Sequence, residues 1–252
     1  VQRKLGEGSQ AVVYEVTDGT LRQKMALKVF RAAADPEQFA RIKREVSIAR
    51  RLIHPSITRV HDIGMDGEHV FLSMELLKGL DLREHLAKAP LPMTFVLDVL
   101  LQAAAALDHA HSKQIHHRDV KPENFFVQND GALKLVDFGL AKSVHSCQIT
   151  APGAIGGTLG YMAPEQLEGL NLATHLSDTY SLGVVAYELV CGVLPYRGSN
   201  PLTLIRNQVA GKPAAPSTMR TDLSTDLEAL ILQMLENAPD RRPASCEEVA
   251  QK

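Results

Sequence analysis

The first third of the chain alternates short apolar runs with turn residues, a pattern typical of β-strands. β-Branched and aliphatic residues dominate positions 11–16, 24–30, 57–63 and 69–75. Asp18-Gly19 and Asp66-Gly67 each predict a hairpin turn between two such runs. One helix interrupts the strands. It should start at Pro36 after an Asp35 N-cap, and its apolar residues recur at three- and four-residue steps: Phe39, Ile42, Val46, Ala49 and Leu52.

The pattern becomes helical after about residue 79. Residues 94–111 form an apolar-faced helix, and residues 177–190 are apolar on nearly every face, which predicts a fully buried helix ending at Gly192. Further helices are predicted at 223–235 and 244–250, and two short strands at 125–127 and 133–136. A strand-rich lobe with one helix therefore precedes a larger helical lobe, and clefts between lobes are where ligand sites concentrate.

Composition and charge exclude several classes of protein. The 252 residues are 45% apolar and 22% charged, which fits one large domain or two unequal lobes. A net charge of −2 provides no basic surface for nucleic acid and no polybasic arm for a membrane. We expect neither nucleic-acid binding nor direct membrane contact within this chain.

Cysteine usage and the N-terminus suggest where the protein works. The three cysteines, Cys147, Cys191 and Cys246, are far apart and form no C-x-x-C, which argues against a disulfide scaffold or zinc knuckle and for a reducing compartment. The first residues are not a signal peptide, and the chain begins on a strand-like pattern. We expect a cytoplasmic protein, or the cytoplasmic domain of a larger, membrane-anchored protein from which this piece was excised.

A glycine-rich stretch, "LGEGSQAVVY", occupies residues 5–14. Gly6, Gly8 and Ala11 match G-x-G-x-x-A, which alone is a weak signal. A dinucleotide site would need a helix after the glycines, whereas the residues that follow are strand-like. The alternative is a loop between antiparallel strands that covers phosphate groups with its backbone N–H groups.

Lys28 lies in the middle of the apolar strand "MALKVF". An unpartnered buried lysine would be costly or would lose its proton. Lys28 is therefore either an edge-strand lysine whose stem alone is buried or the partner of a carboxylate. Glu45, on the polar flank of the predicted helix, is the candidate for the second case.

Acidic and amide side chains cluster in two further stretches, "IHHRDVKPENFFV" (residues 115–127) and "LKLVDFGLAK" (residues 133–142). Asp137 follows a buried strand, at a position suited to a metal ion. With Asp119 and Asn124 it supplies two carboxylates and an amide, the oxygen donors that Mg²⁺ accepts together with phosphate oxygens. The ten histidines show no zinc-binding spacing.

These stretches together resemble a eukaryotic-type (Hanks-type) serine/threonine protein kinase catalytic domain, and the resemblance covers essentially the whole chain. It rests on Gly6, Gly8, Lys28, Glu45, His117-Arg118-Asp119, Asn124, Asp137-Phe138-Gly139, Ala163-Pro164-Glu165, Asp178 and Arg242. It implies an α+β, bilobal protein-kinase fold. Residues 1–76 would form a small antiparallel β N-lobe with one helix, and residues 77–252 a larger, mainly α-helical C-lobe, the two together making one catalytic domain.

The resemblance also implies a role for each catalytic residue. Lys28 would hold the α- and β-phosphates of ATP and would itself be held by Glu45. Asp119 would accept or orient the proton of the attacking hydroxyl, and Lys121 would neutralise the γ-phosphoryl group in transit. Thr158 would hydrogen-bond Asp119 and Lys121.

The implied cofactors are ATP and Mg²⁺. Asn124 and Asp137 would bind the metal, and Met74 would be the gatekeeper of the adenine pocket. The cofactor-binding residues expected from the resemblance are Leu5, Gly6, Gly8, Val13, Ala26, Lys28, Met74, Glu75, Leu77, Asp81 and Phe126.

Details of the motifs indicate the substrate and the branch. Lys121 two residues after Asp119, together with Thr158, resembles the serine/threonine branch, and the segment ending Ala163-Pro164-Glu165, with Arg242 to pair Glu165, favours a protein substrate. The run 178–183 resembles bacterial members. We expect a second copy of the chain to take part in autophosphorylation.

Three departures from the family pattern leave alternatives open. Ala11 replaces the third loop glycine, Phe126 replaces the usual leucine beneath adenine, and Ala49 replaces a larger residue behind Glu45, so that the helix carrying Glu45 is expected to swing out without a partner. The alternatives are a nucleotide-binding pseudokinase scaffold and a small-molecule phosphotransferase or dinucleotide enzyme. Thr150, and second Ser146, are the expected phosphorylation sites, with Arg118 as the phosphate partner.

Overall fold

The computed structural model describes residues 1–8, 11–20, 22–31, 36–67, 69–138 and 159–252, apart from the side chains at positions 36–38, 41, 45 and 170. Within these residues the chain has the expected α+β fold. An antiparallel sheet with one helix leads into a mainly helical part that carries a second, small sheet.

The first sheet has five strands in the order β1-β2-β3-β5-β4. The strands are β1 (Arg3–Glu7), β2 (Ala11–Thr17), β3 (Lys24–Phe30), β4 (Val60–Asp66) and β5 (His69–Met74). In the register Lys28 is opposite Val13, and Ala26 is opposite both Glu15 and Met74. Because side chains alternate between faces, Ala26 and Lys28 lie on one face with these neighbours.

Helix α1 (Pro36–Ala49) covers the other side of this lobe's core. Ile42 and Val46 are buried against Phe30, Val70 and Leu72 of the sheet, as the apolar periodicity predicts. Pro36 is the first helical residue, also as predicted. The predicted Asp35 cap lies outside the described residues.

The helical lobe is built around two long helices, α3 and α5. Its helices are α2 (Leu82–Leu86), α3 (Met93–Ser112), α4 (Pro164–Glu168), α5 (His175–Cys191), α6 (Pro201–Ala210), α7 (Thr225–Met234) and α8 (Cys246–Gln251). Every residue of α5 from position 177 to 190 is buried, so the prediction of a fully buried helix is confirmed. Gly192 ends it in the left-handed conformation at φ 70°.

Helix α3 is long and apolar enough to cross a membrane by length and composition, with a mean hydropathy of 1.3. Its buried residues, including Val96, Ala103 and Leu107, belong to the hydrophobic core of the helical lobe. Core packing therefore accounts for the buried apolar residues of this helix, while Leu97 and Leu101 are exposed.

A three-stranded sheet lies where the two lobes meet. It consists of β6 (Gly79–Asp81), β7 (Phe125–Gln128) and β8 (Leu133–Leu135), all antiparallel, and Phe126 is opposite both Asp81 and Lys134. Gly131 lies in the turn between β7 and β8 and has φ 88°.

The predicted strand at 57–63 begins too early. β4 starts at Val60, and the residues before it pair with β8 instead: the Thr58 N–H donates to the Leu135 carbonyl (3.0 Å), and the Leu135 N–H donates to Ser56 (2.8 Å). The apolar character of Ile57 reflects this contact between the lobes. The helices predicted at 223–235 and 244–250 also start late, because Ser224 and Ser245 act as N-caps.

Candidate active site

A cavity of about 960 Å³ separates the first sheet from the small sheet. The residues from the predicted cofactor set that line it are Leu5, Gly6, Val13, Ala26, Lys28, Met74, Glu75, Leu77 and Phe126. Asp137, predicted as a metal ligand, also lines it. The structure therefore brings together side chains that are more than 130 positions apart, as a nucleotide site requires.

Two residues of the predicted set lie outside the lining of this cavity. Gly8 follows β1, and its N–H donates to the Ala11 carbonyl (2.9 Å), so that it closes the β1–β2 hairpin. Asp81 is the N-cap of α2 and accepts a hydrogen bond from the Glu84 N–H (2.8 Å). Glu84, which sequence reasoning missed, lines the cavity near the position predicted for Asp81.

Lys28 is held by an acid in the structure: it pairs with Asp137, which was predicted as a metal ligand. Its Nζ lies 2.7 Å from Asp137 Oδ1, and only 15% of the lysine side chain is exposed. The reading of Lys28 as a solvated edge-strand lysine is therefore wrong. The side chain of Glu45 lies outside the described residues, so its pairing with Lys28 stays a prediction.

Asp137 has an uncommon backbone conformation and a lowered side-chain pKa. Its backbone has φ 62°, a left-handed conformation that is uncommon for residues other than glycine and clusters at functional sites. Although burial acts to raise the pKa of Asp137, the nearby Lys28 ammonium outweighs this and lowers the pKa below its usual value. Asp137 is therefore ionised at neutral pH, as a cation ligand must be.

Asp119, Lys121 and Asn124 meet on the loop between α3 and β7. Lys121 Nζ lies 2.8 Å from Asp119 Oδ2, while Asn124 Nδ2 donates to the Asp119 carbonyl (2.7 Å) and to Asp119 Oδ2 (3.2 Å). A 3₁₀ turn, Pro122–Asn124, brings Asn124 back towards Asp119, and the Asn124 carbonyl accepts from the Val136 N–H (2.9 Å). The loop is therefore hydrogen-bonded to the segment that follows β8 and carries Asp137.

Asp178 supports this loop from below. It is buried in α5 and accepts hydrogen bonds from the backbone N–H groups of His117 and Arg118 (both 2.7 Å) and from His111 Nε2 (2.8 Å). Burial acts to raise the pKa of Asp178, but the hydrogen bonds and His111 outweigh it and lower the pKa. The family resemblance identified Asp178 but did not predict which groups it contacts. An acid in an otherwise apolar helix was the signal for a buried hydrogen-bonding role.

His117 connects the loop to the strand of Asp137. Its Nε2 lies 2.9 Å from the Val136 carbonyl, and its ring packs edge-on against Phe138 with centroids 4.7 Å apart. His116 points elsewhere: it is half-buried beside the rings of His111 and His175. His116 therefore packs against other histidines, whereas His117 joins the loop to the segment of Asp137.

The backbone after β5 presents free polar groups to the cavity. The Glu75 N–H donates to the Arg59 carbonyl (3.0 Å), and the Lys78 carbonyl accepts from the Asn129 N–H (2.9 Å). Between them, the Glu75 carbonyl and the Leu77 N–H have no hydrogen-bond partner among the described residues. An adenine ring could pair with one acceptor and one donor of this kind.

The segment after residue 158 is anchored firmly to the helical lobe. Arg242, fully buried, donates to Glu165 Oε1 (2.7 Å) and Oε2 (3.0 Å), which confirms the predicted pair. Thr158, Thr150 and Ser146 lie outside the described residues, so the roles predicted for them are untested.

The comparisons with known proteins agree with this geometry. The family model of the protein kinase domain matches residues 1–252. The chain is 32% identical to serine/threonine-protein kinase PrkC of Bacillus subtilis over 252 residues, which are 99% of this chain and 39% of PrkC. It is 41% identical to serine/threonine-protein kinase PknL of Mycobacterium tuberculosis over 207 residues, 81% of this chain and 52% of PknL.

The fold is also that of a solved structure. The crystal structure of the Mycobacterium tuberculosis PknI kinase domain superimposes with a TM-score of 0.76 at 31% identity, covering 99% of this chain and 92% of that one. The chain spans only about 39% of PrkC and 52% of PknL.

Proposed function

The chain belongs to the protein kinase family, and from that premise we propose that it is an ATP- and Mg²⁺-dependent serine/threonine protein kinase. It transfers the γ-phosphoryl group of ATP to a hydroxyl group of a protein. The observation that carries the proposal is that two groups of charged residues meet at the cavity. Lys28 and Asp137 lie 2.7 Å apart there. The loop with Asp119, Lys121 and Asn124 is hydrogen-bonded to Val136, next to Asp137.

Phosphoryl transfer depends on positioning and on neutralising charge, and this chain supplies both. Lys28 binds phosphate oxygens, and Lys121 stabilises the negative charge of the phosphoryl group in transit. Asp119 accepts the proton of the attacking hydroxyl. The hydrogen bond from Asn124 Nδ2 to the Asp119 carbonyl fixes the distance between the base and the metal ligands.

The donor set fits Mg²⁺. An ionised carboxylate on Asp137 and the amide oxygen of Asn124, whose nitrogen is already engaged with Asp119, are hard oxygen ligands. The described residues contain no group of three or more His, Cys, Asp or Glu side chains that could hold a metal ion. Phosphate oxygens of ATP would join Asp137 and Asn124 as ligands, since Mg²⁺ is usually held by one or two carboxylates together with substrate phosphates. When bound, the ion neutralises charge on the phosphates.

The branch and the substrate class follow from the motifs and the relatives. Lys121 two positions after Asp119 is typical of the serine/threonine branch, and the relatives PrkC and PknL carry that name. The Glu165–Arg242 pair holds the segment expected to receive a protein substrate. A cytoplasmic location, or a cytoplasmic domain of a longer protein, is part of the proposal because ATP is the phosphoryl donor.

We extend the proposal to autophosphorylation by a second copy of the chain. Among the described residues, the buried Arg118 Nε has no hydrogen-bond partner. A phosphate on Thr150 or Ser146 would supply one, and such charge-assisted contacts order activation segments.

The test uses labelled ATP with Mg²⁺ and a generic basic protein. We expect label on serine or threonine of that protein, and mass spectrometry should find phosphate on Thr150 or Ser146 of the chain itself. The Asp119→Asn variant should transfer almost none. Nucleotide-dependent melting without transfer beyond this variant would instead favour the pseudokinase scaffold, for which the comparisons give no support.

A further inference from the structure

Lys134 is a buried lysine outside the set of catalytic residues. It lies in β8 between the fully buried Leu133 and Leu135, and only 14% of its side chain is exposed. An ammonium group with so little access to water is costly to bury unless a counter-charge lies beside it. Glu75 supplies it: Lys134 Nζ lies 2.9 Å from Glu75 Oε1.

Glu75 is fixed at both its backbone and its side chain. Its Oε1 also accepts the Arg59 N–H (2.7 Å), while its own N–H donates to the Arg59 carbonyl (3.0 Å). The carboxylate is therefore turned towards Arg59 and Lys134, and the carbonyl of the same residue is left without a partner among the described residues, at the cavity where adenine is expected.

Lys134 is also paired, in the strand register, with a residue of the other wall of that cavity. It is directly opposite Phe126 in the β7–β8 ladder, and directly opposed residues carry their side chains on the same face at close range. Phe126 lines the cavity. Lys134 is thus a neighbour of both Phe126 and Glu75, two residues that line the expected adenine site.

Among the described residues, Glu75 is the acid paired with Lys134. His54 lies near the lysine and its pKa is lowered by burial, His109 and Lys134, so His54 adds no positive charge at neutral pH. Removing the Glu75 carboxylate would therefore leave the lysine uncompensated.

We propose that Lys134 is a positioning residue for the nucleotide: through Glu75 and Phe126 it fixes the two surfaces that bind adenine. The inference rests on the proposed function, because it assumes that ATP occupies this cavity. It predicts an effect on the affinity for ATP rather than on the transfer step. Interactions made equally in the ground state and the transition state change KM and leave kcat unaltered.

The experiment compares Lys134→Met, Lys134→Arg and Glu75→Gln with the unaltered chain and with a control, Lys212→Met, at an exposed loop lysine. The Kd of Mg–ATP is measured by calorimetry, and KM and kcat by phosphoryl transfer. Lys134→Met and Glu75→Gln should each raise Kd and KM about three- to tenfold, with kcat within about twofold; the effect is smaller than the full loss of a charge-assisted hydrogen bond because the lost bond lies within the protein and acts on ATP only through the position of its site. Lys134→Arg keeps the charge and should restore the Kd, and the control should not change it.

An unchanged Kd in Lys134→Met and Glu75→Gln, even with a lower melting temperature, would show that the contact is structural only and would overturn the inference. If Lys134→Met fails to fold, Glu75→Gln decides alone, because it alters charge at nearly constant volume. Failure of the proposed function would give a different result. The unaltered chain would then show no Asp119-dependent transfer, whether or not the Lys134 and Glu75 variants change the Kd of ATP.

Discussion

The buried ion pair between Arg242 and Glu165 gives the most demanding prediction about stability. The guanidinium is fully buried and donates five hydrogen bonds: two to Glu165 and one each to the carbonyls of Leu176, Glu236 and Asn237. Its carbon Cζ also lies 4.8 Å from the centroid of the Tyr180 ring. The Arg242→Met variant keeps the apolar stem and removes all of these contacts.

The expected cost follows from what is left behind. Breaking a buried pair by removing one partner costs about 3–5 kcal/mol, because the other charge stays uncompensated. The Glu165 side chain is 15% exposed, so water can solvate part of the charge that is left behind. We therefore expect a loss of stability near the lower end of this range. Three carbonyls lose a donor as well. Glu165→Gln should cost a comparable amount: its amide oxygen can still accept from Arg242 and Ser177, but the fully buried guanidinium loses its counter-charge and the new amide NH2 group faces an Arg242 donor.

Urea unfolding followed by circular dichroism measures the effect, since the chain has no tryptophan for fluorescence. The melting temperature should fall by roughly 6–12 °C for Arg242→Met, which corresponds to a loss of about 3 kcal/mol at 2–4 °C per kcal/mol in a chain of this size. Arg241→Met, at the exposed neighbouring residue, is the matched control and should lose less than about 0.5 kcal/mol. A loss below about 1 kcal/mol for Arg242→Met, or additive losses in the double variant with Glu165→Gln, would refute the reasoning.

Three further predictions concern packing, the adenine site and acid stability. Gly183→Ala should lower the free energy of unfolding by about 1–3 kcal/mol, because the added Cβ would meet Met234 Cβ at 2.7 Å; equal urea midpoints would contradict this. Phe126→Ala should raise the Kd of ATP roughly tenfold if the ring stacks on the base, and tighter binding in calorimetry would show that the ring narrows the pocket instead. Asp178 has a lowered pKa in the folded chain, so the stability that it contributes is complete above its unfolded pKa of about 4 and is lost as the pH falls further, through the folded value. In urea unfolding from pH 6 to 3, Asp178→Asn should be less stable than the unaltered chain at pH 6 and should lose less stability on acidification, and parallel curves would contradict that.

Much of the architecture could be predicted from local pattern. Runs of β-branched and aliphatic residues located β2, β3 and β5, and the run around Tyr180 that is apolar on nearly every face identified the buried helix α5. The start of β4 could not be predicted in this way. Ile57 is apolar because it pairs with Leu135 of the other lobe, and local periodicity does not distinguish that contact from a strand.

The candidate site shows the same division. The residue types of Lys28, Asp119, Asn124 and Asp137 were enough to place them together once the family resemblance was recognised. Their partners were harder to predict, because pairs such as Lys28–Asp137 and Glu75–Lys134 are 109 and 59 positions apart and depend on tertiary packing. Asp81 and Glu84 are three positions apart in one capping box, and Glu84 is the one that lines the cavity. The sequence alone does not show which of the two acids does so.

The central claim is that Asp119 acts on the protein hydroxyl, whereas the cavity above it binds ATP. The most direct test is the rate constant for transfer at saturating Mg–ATP, measured with the Kd of ATP, in Asp119→Asn and in a control, Asp130→Asn, at the exposed β7–β8 turn. We predict that kcat falls by at least roughly 100-fold in Asp119→Asn, as expected for loss of a general base. The Kd should stay within about threefold, and Asp130→Asn should match the unaltered chain. Transfer by Asp119→Asn at the unaltered rate would contradict the account.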